Sequence, residues 1–485
     1  MKTSKLGTIA LAAAALAAAL AVSQAQAAAT IVINNLNAPG VGFNDPTPVA
    51  PVGGNTGTTL GQQRLIAFTY AANIWGATLT SSVPIVINAQ FTPLNCTATS
   101  AVLGSAGATF VFRNFTGAPL ANTWYSYALA NKIASADQSP ATPPAGQINA
   151  RFNSNLGTTG CLQASQWYYG LDSNEPANGI DFVAVLMHEM AHGLGFQTFT
   201  NGTSGAFLSG FPSVWDHFLF DSVNNVSWAN ATAAQRAASA ISIDRLVWTG
   251  ATVNNALPNV LRQGLPGVAM SGPAAGPLAG STLLAGEASF GPALTQAGVF
   301  GEVMPVVANT TAAGLTGPAC GPLTVPDARA VNGKIALIDR GVCGFAVKAK
   351  NAQNAGAIGV LIADNAPGTP PPGLGGADPT VTIPAVRILQ TDGNTLKAQL
   401  ATRSRTSSGV FARIALFGTQ IAGADALGRI KMFAPNPFQG GSSVSHFDTT
   451  ATRNQLMEPS INADLTQVVV PPVDLTFPLF QDIGW

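Results

Sequence analysis

The stretch Met187-His188-Glu189-Met190-Ala191-His192-Gly193-Leu194-Gly195-Phe196 holds two histidines four residues apart, with a glutamate directly after the first. Residues i and i+4 lie one above the other on a single helical face. Both imidazoles therefore reach one small cation, while Glu189 stands beside it without ligating. His-Glu-x-x-His on a helix is the pattern in which two histidines bind zinc and the glutamate acts as general base toward a metal-activated water. The whole chain has 4 histidines among 485 residues, so two of them in this arrangement speak against a chance match on a buried helix. Ile180, Val183, Leu186 and Met187 give the helix an apolar face. Asn178 to Asp181 supplies its N-cap. Gly193 and Gly195 end it, since glycine tolerates the left-handed turn of a C-cap.

The remaining composition narrows the setting. Lys plus Arg and Asp plus Glu both number 22, and 9% of residues are charged, so no basic surplus points to nucleic acid. Lys2 and Lys5 precede an apolar run from Ile9 to Val22 and then Ala25-Gln26-Ala27. This is the pattern of a secretory signal peptide over residues 1–27, too short for a membrane anchor. No later apolar run approaches a span of about 20 residues, so the mature chain is expected to lack a membrane span and to be secreted. In that compartment Cys96, Cys161, Cys320 and Cys343 read as disulfides, with the two local pairs the simplest connectivity.

Along the chain, Ala29 to Asn34 reads as a strand, 38–59 as loop, Leu60 to Leu79 as a helix, and Val83 to Phe91 and Ala108 to Phe115 as strands. A helix followed by strands and then the metal helix predicts an α+β catalytic domain over 28–282, with a short propeptide possible at its start. Pro212 to Asp221 reads as helix or strand, Thr232 to Ala240 as helix, and Val253 to Gly280 as a Pro/Gly-rich connection. From 283 to 420 the pattern changes: a strand at Lys334–Asp339, a helix at Phe345–Ala355, a strand at Ile358–Ala363, a loop at 366–376 and further strands near 380–389. No histidine, paired carboxylates or phosphate-cradling loop occurs there, which makes it a binding or spacer module of mixed α/β type.

That module resembles a protease-associated domain in Gly333-Lys334-Ile335-Ala336-Leu337-Ile338-Asp339-Arg340-Gly341, in Cys343, in Ala352-Gln353-Asn354-Ala355-Gly356-Ala357 and in Ile383-Pro384-Ala385-Val386. The resemblance implies a non-catalytic insertion in an exported protease, concerned with substrate access or partner contact.

A catalytic zinc site normally takes three protein ligands and leaves one position open. In most metzincin-like sequences the third ligand stands six residues after the second histidine, and here that position is Thr198, a poor zinc ligand. His217 and His446 are the remaining histidines, while Glu287 and Glu302 lack the helical context a glutamate ligand needs. Ser445-His446-Phe447-Asp448 is followed by Asn454-Gln455-Leu456-Met457-Glu458-Pro459 over residues 421–485. With the His188–Phe196 motif, this resembles the leishmanolysin-type metzincins. The resemblance implies His188, His192 and His446 as ligands of one catalytic Zn²⁺, Glu189 as base, Met457 as the Met-turn and Gly195 as a structural neighbour. His217 is read as a packed residue partnered by Asp216 or a backbone carbonyl, and Asp216 and Asp448 as groups that orient the metal histidines. The expectation is a metzincin-like zinc endopeptidase, interrupted by the inserted domain and acting on protein or peptide substrates. A zinc aminopeptidase and a non-catalytic adhesin on a degenerate scaffold are the alternatives.

Overall fold

The computed structural model describes residues 28–139, 146–308, 316–368, 371–462 and 464–485. The expected signal peptide lies outside them. Four strands, β1 (Ile31–Asn35), β2 (Ile85–Thr92), β3 (Gly104–Ala108) and β4 (Ile148–Asn153), form a sheet in the order β1-β2-β4-β3. The first three in that order run parallel, and β3 closes the edge antiparallel to β4. In β2 the residues Ile85, Ile87, Ala89 and Phe91 are buried and their neighbours are not, the period-two pattern of a half-covered strand.

Helix α1 (Leu60–Thr78) begins at Thr59, whose hydroxyl accepts the Gln62 N–H at 3.3 Å. It lays Ala67, Phe68, Ala71 and Trp75 into the core. Helix α2 (Phe182–Leu194) carries the His-Glu-x-x-His motif and is buried at every position, as a helix at the centre of a large core must be. The Trp75 indole donates to the Met187 carbonyl at 3.1 Å and ties the two helices together. Gly193 lets α2 lie directly on β4, because a Cβ there would stand 2.3 Å from Ile148 Cγ2. Phe152 and Phe182 meet edge to face at 5.2 Å in the aromatic cluster beneath, so Phe182→Ala would cost about 3–5 kcal/mol.

Residues 28–59 are integral to this body. β1 is a parallel strand of the sheet and Phe43 packs on Phe68 at 5.7 Å. Two expectations change. The strand expected at 108–115 is instead β3 and a short pair of strands, Val111–Phe112 with Tyr125–Ser126. The connection expected at 253–280 holds a helix, Ala251–Val260, and a nine-residue strand, Gln263–Ser271.

That strand opens a closed seven-stranded barrel, in the order Gln263–Ser271, Thr282–Glu287, Ala385–Ile388, Gly359–Ala363, Ile335–Asp339, Val299–Pro305 and Phe411–Ile421. The barrel therefore starts ahead of the boundary expected at 282. Pro266 had masked it: its second neighbour strand joins only from Gly267, and proline is tolerated where the ladder needs no N–H. The barrel's two ends meet, with the Ala422 N–H donating to the Arg262 carbonyl at 2.9 Å. After it the chain returns to the first body, where Leu479, Phe480 and Ile483 of the C-terminal helix (Thr476–Ile483) enter the main core. Disulfides join Cys96 to Cys161 and Cys320 to Cys343. No helix among the described residues is long and apolar enough to cross a membrane.

Candidate metal centre

Asp181 starts α2 by accepting the N–H groups of Val183 at 2.8 Å and Ala184 at 3.3 Å. Gly195 ends it at φ +128°, where a Cβ would meet the Ser126 hydroxyl oxygen at 2.9 Å. His188 and His192 thus sit on the last two turns of a rigid, buried rod, facing a cleft of about 1330 Å³.

His446 comes from beyond the barrel. Its Nε2 lies 3.2 Å from Nε2 of His192 and 3.2 Å from Nε2 of His188. Each ring is turned by its other nitrogen: Nδ1 donates to the carbonyl of Leu456 from His188 (2.7 Å), of Phe196 from His192 (2.8 Å) and of Ser442 from His446 (2.7 Å). With the proton on Nδ1, all three Nε2 atoms present lone pairs to one another. Lone pairs facing each other at 3.2 Å, as that of His446 faces those of His188 and His192, repel unless a cation sits among them. Zinc–nitrogen bonds of about 2.0–2.1 Å give a tetrahedral edge of roughly 3.3 Å, so the donor set fits zinc. Among the described residues this is the one group of three His, Cys, Asp or Glu side chains placed to hold a metal.

Burial keeps the rings neutral. It lowers His188 to about 4 and His192 to about 3, and it lowers His446 well below the usual imidazole range, with the neighbouring rings adding to the shift. Glu189 lines the same cleft. Burial pushes its carboxyl up to about 8, against the opposing N–H of Ala106 on β3. A dication beside it would pull that value back down.

The other expected participants fall elsewhere. His217 is half-buried, with Nε2 3.0 Å from the Thr123 hydroxyl rather than on Asp216 or a carbonyl. Neither Asp216 nor Asp448 hydrogen-bonds to the three imidazoles: Asp216 accepts from Thr198, Thr200 and Ser213, and Asp448 from Thr450. Backbone carbonyls orient the rings instead. Glu287 and Glu302 belong to the barrel, where they pair with Arg262 and Lys334. Met457 is fully buried, its carbonyl accepting the Phe447 N–H at 2.8 Å. Its neighbour Leu456 supplies the carbonyl for His188. Sequence reasoning missed Gly104 of β3, where a Cβ would lie 2.7 Å from both Cγ and Oε1 of Glu189. A glycine inside a strand marks such close approach.

Residues 299–396 match the PA domain family. Among similar proteins, human ER degradation-enhancing alpha-mannosidase-like protein 3 is 58% identical over 50 residues, 10% of this chain and 5% of that protein. A probable lipoprotein aminopeptidase of Mycobacterium tuberculosis is 39% identical over 82 residues, 17% of this chain and 16% of that one. Leucine aminopeptidase 2 of Arthroderma otae is 44% identical over 69 residues, 14% of each chain. The chain thus spans 5% to 16% of the length of these relatives. A solved zinc aminopeptidase from Bacillus subtilis matches 35% of this chain and 37% of its own at 23% identity, with a TM-score of 0.23.

Proposed function

We propose that the chain is a secreted zinc endopeptidase of the leishmanolysin-like metzincin kind, with its PA domain as a non-catalytic insertion. The observation that carries this reading is the convergence of three Nε2 lone pairs with Glu189 in one open cleft. His188, His192 and His446 would hold the metal, and Met457 would form the turn beneath it. Zinc, when bound there, supplies a Lewis acid that polarises a carbonyl and acidifies water. Glu189 takes the proton from the attacking water and hands it to the leaving nitrogen. The Ala106 N–H and the bare Cα of Gly104 hold that carboxyl at the cleft wall. β3 is the sheet's edge, and its residues line the cleft. An extended substrate chain adds there as a further strand, with room on both sides of the bond to be cut.

The aminopeptidase names among the relatives support a peptidase and favour a second reading, removal of N-terminal residues. The short shares those matches cover weigh against carrying the whole activity over. A co-catalytic second metal would also need more ligands than the three histidines supply. Cleavage of an N-acetylated peptide at an internal bond, with no release from aminoacyl anilides, is the expected outcome. Release of single N-terminal residues alone would replace the endopeptidase by an aminopeptidase, and stoichiometric zinc with no hydrolysis at all would leave a binding protein.

A further inference from the structure

Thr198, six residues after His192, is tied in on two sides. Its hydroxyl donates to Asp216 Oδ1 at 2.7 Å, and its N–H donates to the Ser445 hydroxyl at 3.2 Å. Ser445 directly precedes His446. Asp216 is fully buried on the short helix α3 (Val214–Phe218). Its other oxygen accepts the Thr200 hydroxyl at 2.7 Å, the Ser213 N–H at 2.7 Å and the Ser213 hydroxyl at 2.8 Å. The residue before it, Trp215, donates its indole N–H to the Val444 carbonyl at 3.3 Å. The bonds close a ring that runs from the end of α2 through Thr198 to Ser445, to Val444, to Trp215, to Asp216 and back to Thr198. None of its members touches a ring nitrogen of the three histidines.

We propose that Thr198 and Asp216 are positioning residues that clasp the His446 segment against the metal helix, so that the usual ligand position has become a tether for a ligand brought from afar. The clasp rests on the zinc reading of the centre. Its physical reason is the looped-out barrel: His446 is 254 residues from His192, and the chain between them imposes no fixed distance. A metal site needs its ligands held within about 0.5 Å by residues behind them. The Nδ1 bond of His446 goes to Ser442, inside its own segment, and fixes the ring without fixing the segment. The bonds through Thr198 and Trp215 tie the segment to the end of α2 and to α3, beside the edge-to-face contact of Phe447 with Phe196 at 5.2 Å.

The test is zinc affinity of the full-length protein, measured by competition with a chromophoric chelator, alongside thermal unfolding of the metal-free form. Thr198→Val is expected to weaken zinc binding by about tenfold or more, the range seen when groups behind metal ligands are removed. Thr198→Ser, which keeps the hydroxyl, is expected to restore it. Ser445→Ala probes the other end of the clasp without disturbing Asp216, and combined with Thr198→Val it should add less than its single effect. Wild-type affinity in both Thr198→Val and Ser445→Ala overturns the clasp, as does a loss that Thr198→Ser fails to rescue. Equal losses of metal-free stability and no change in zinc affinity also overturn it. Wild-type protein that takes up no zinc removes the centre and the clasp together, whereas zinc uptake without peptide hydrolysis removes only the proposed activity, because the readout here is affinity.

Discussion

His192 and His446, 254 residues apart in sequence, set their Nε2 atoms 3.2 Å from each other. The contact joins a helix of the first body to a segment that follows the entire barrel, and the proposed role of His446 as third ligand rests on it. His446→Ala is expected to abolish stoichiometric zinc uptake, and His217→Ala to leave it in place. Metal content by elemental analysis checks both. A reversed result would move the third ligand to His217.

Glu189→Gln keeps the shape and loses the base. Zinc content should stay at the wild-type level, while peptide hydrolysis falls by about two to four orders of magnitude, the usual contribution of a positioned general base. Undiminished turnover would take the catalytic role away from Glu189.

Gly104→Ala tests whether Glu189 must stand where it does. The added methyl meets the glutamate side chain at 2.7 Å, so either the carboxyl or β3 must shift. We expect kcat to drop with zinc content unchanged, since the atoms nearest the added methyl all belong to Glu189. A variant with wild-type kcat would show that the carboxyl has freedom to spare.

Glu458 gives a pH dependence. Burial pushes its carboxyl up to about 8 from an ordinary value of 4.5, and the Gln455 N–H only partly opposes this. Between those two values the folded chain keeps a proton that the unfolded chain has lost. Stability from this group is therefore fully present below about 4.5 and falls as pH rises toward 8, by at most about 1.4 kcal/mol per pH unit. Glu458→Gln removes the slope. Denaturant unfolding at about pH 5 and about pH 8 should show the wild type losing ground to the variant at the higher pH. A constant difference would mean that Glu458 does not titrate in this range.

How much of this was legible depended on where the information sits. The metal helix was readable because spacing, cap and apolar face all lie in one short stretch. In the PA module, Ile335–Asp339, Phe345–Asn354 and Gly359–Ala363 follow the expected strand-helix-strand closely, because their hydrophobic periods are unbroken. Gln263–Ser271 was hidden by Gly264, Pro266 and Gly267, turn residues that the barrel's ladder accommodates. Sequence reasoning also passed over β4, although Ile148, Ala150 and Phe152 alternate with polar neighbours. The orientation of the imidazoles was beyond reach for a different reason. Leu456, Phe196 and Ser442 act through their carbonyls, a group every residue has, so side-chain identity says nothing about it. Asp216 was read as orienting a metal histidine, whereas its partners are hydroxyls from a turn whose geometry only the folded chain defines.

The looped-out barrel, with its two ends joined at Arg262 and Ala422, has a consequence during synthesis. The ribosome releases His188, Glu189 and His192 first and must then make the whole barrel before His446 emerges. Until that moment the nascent chain carries a base and two-thirds of a donor set. A centre of the proposed kind, assembled this way, stays incomplete while most of its own polypeptide is being made.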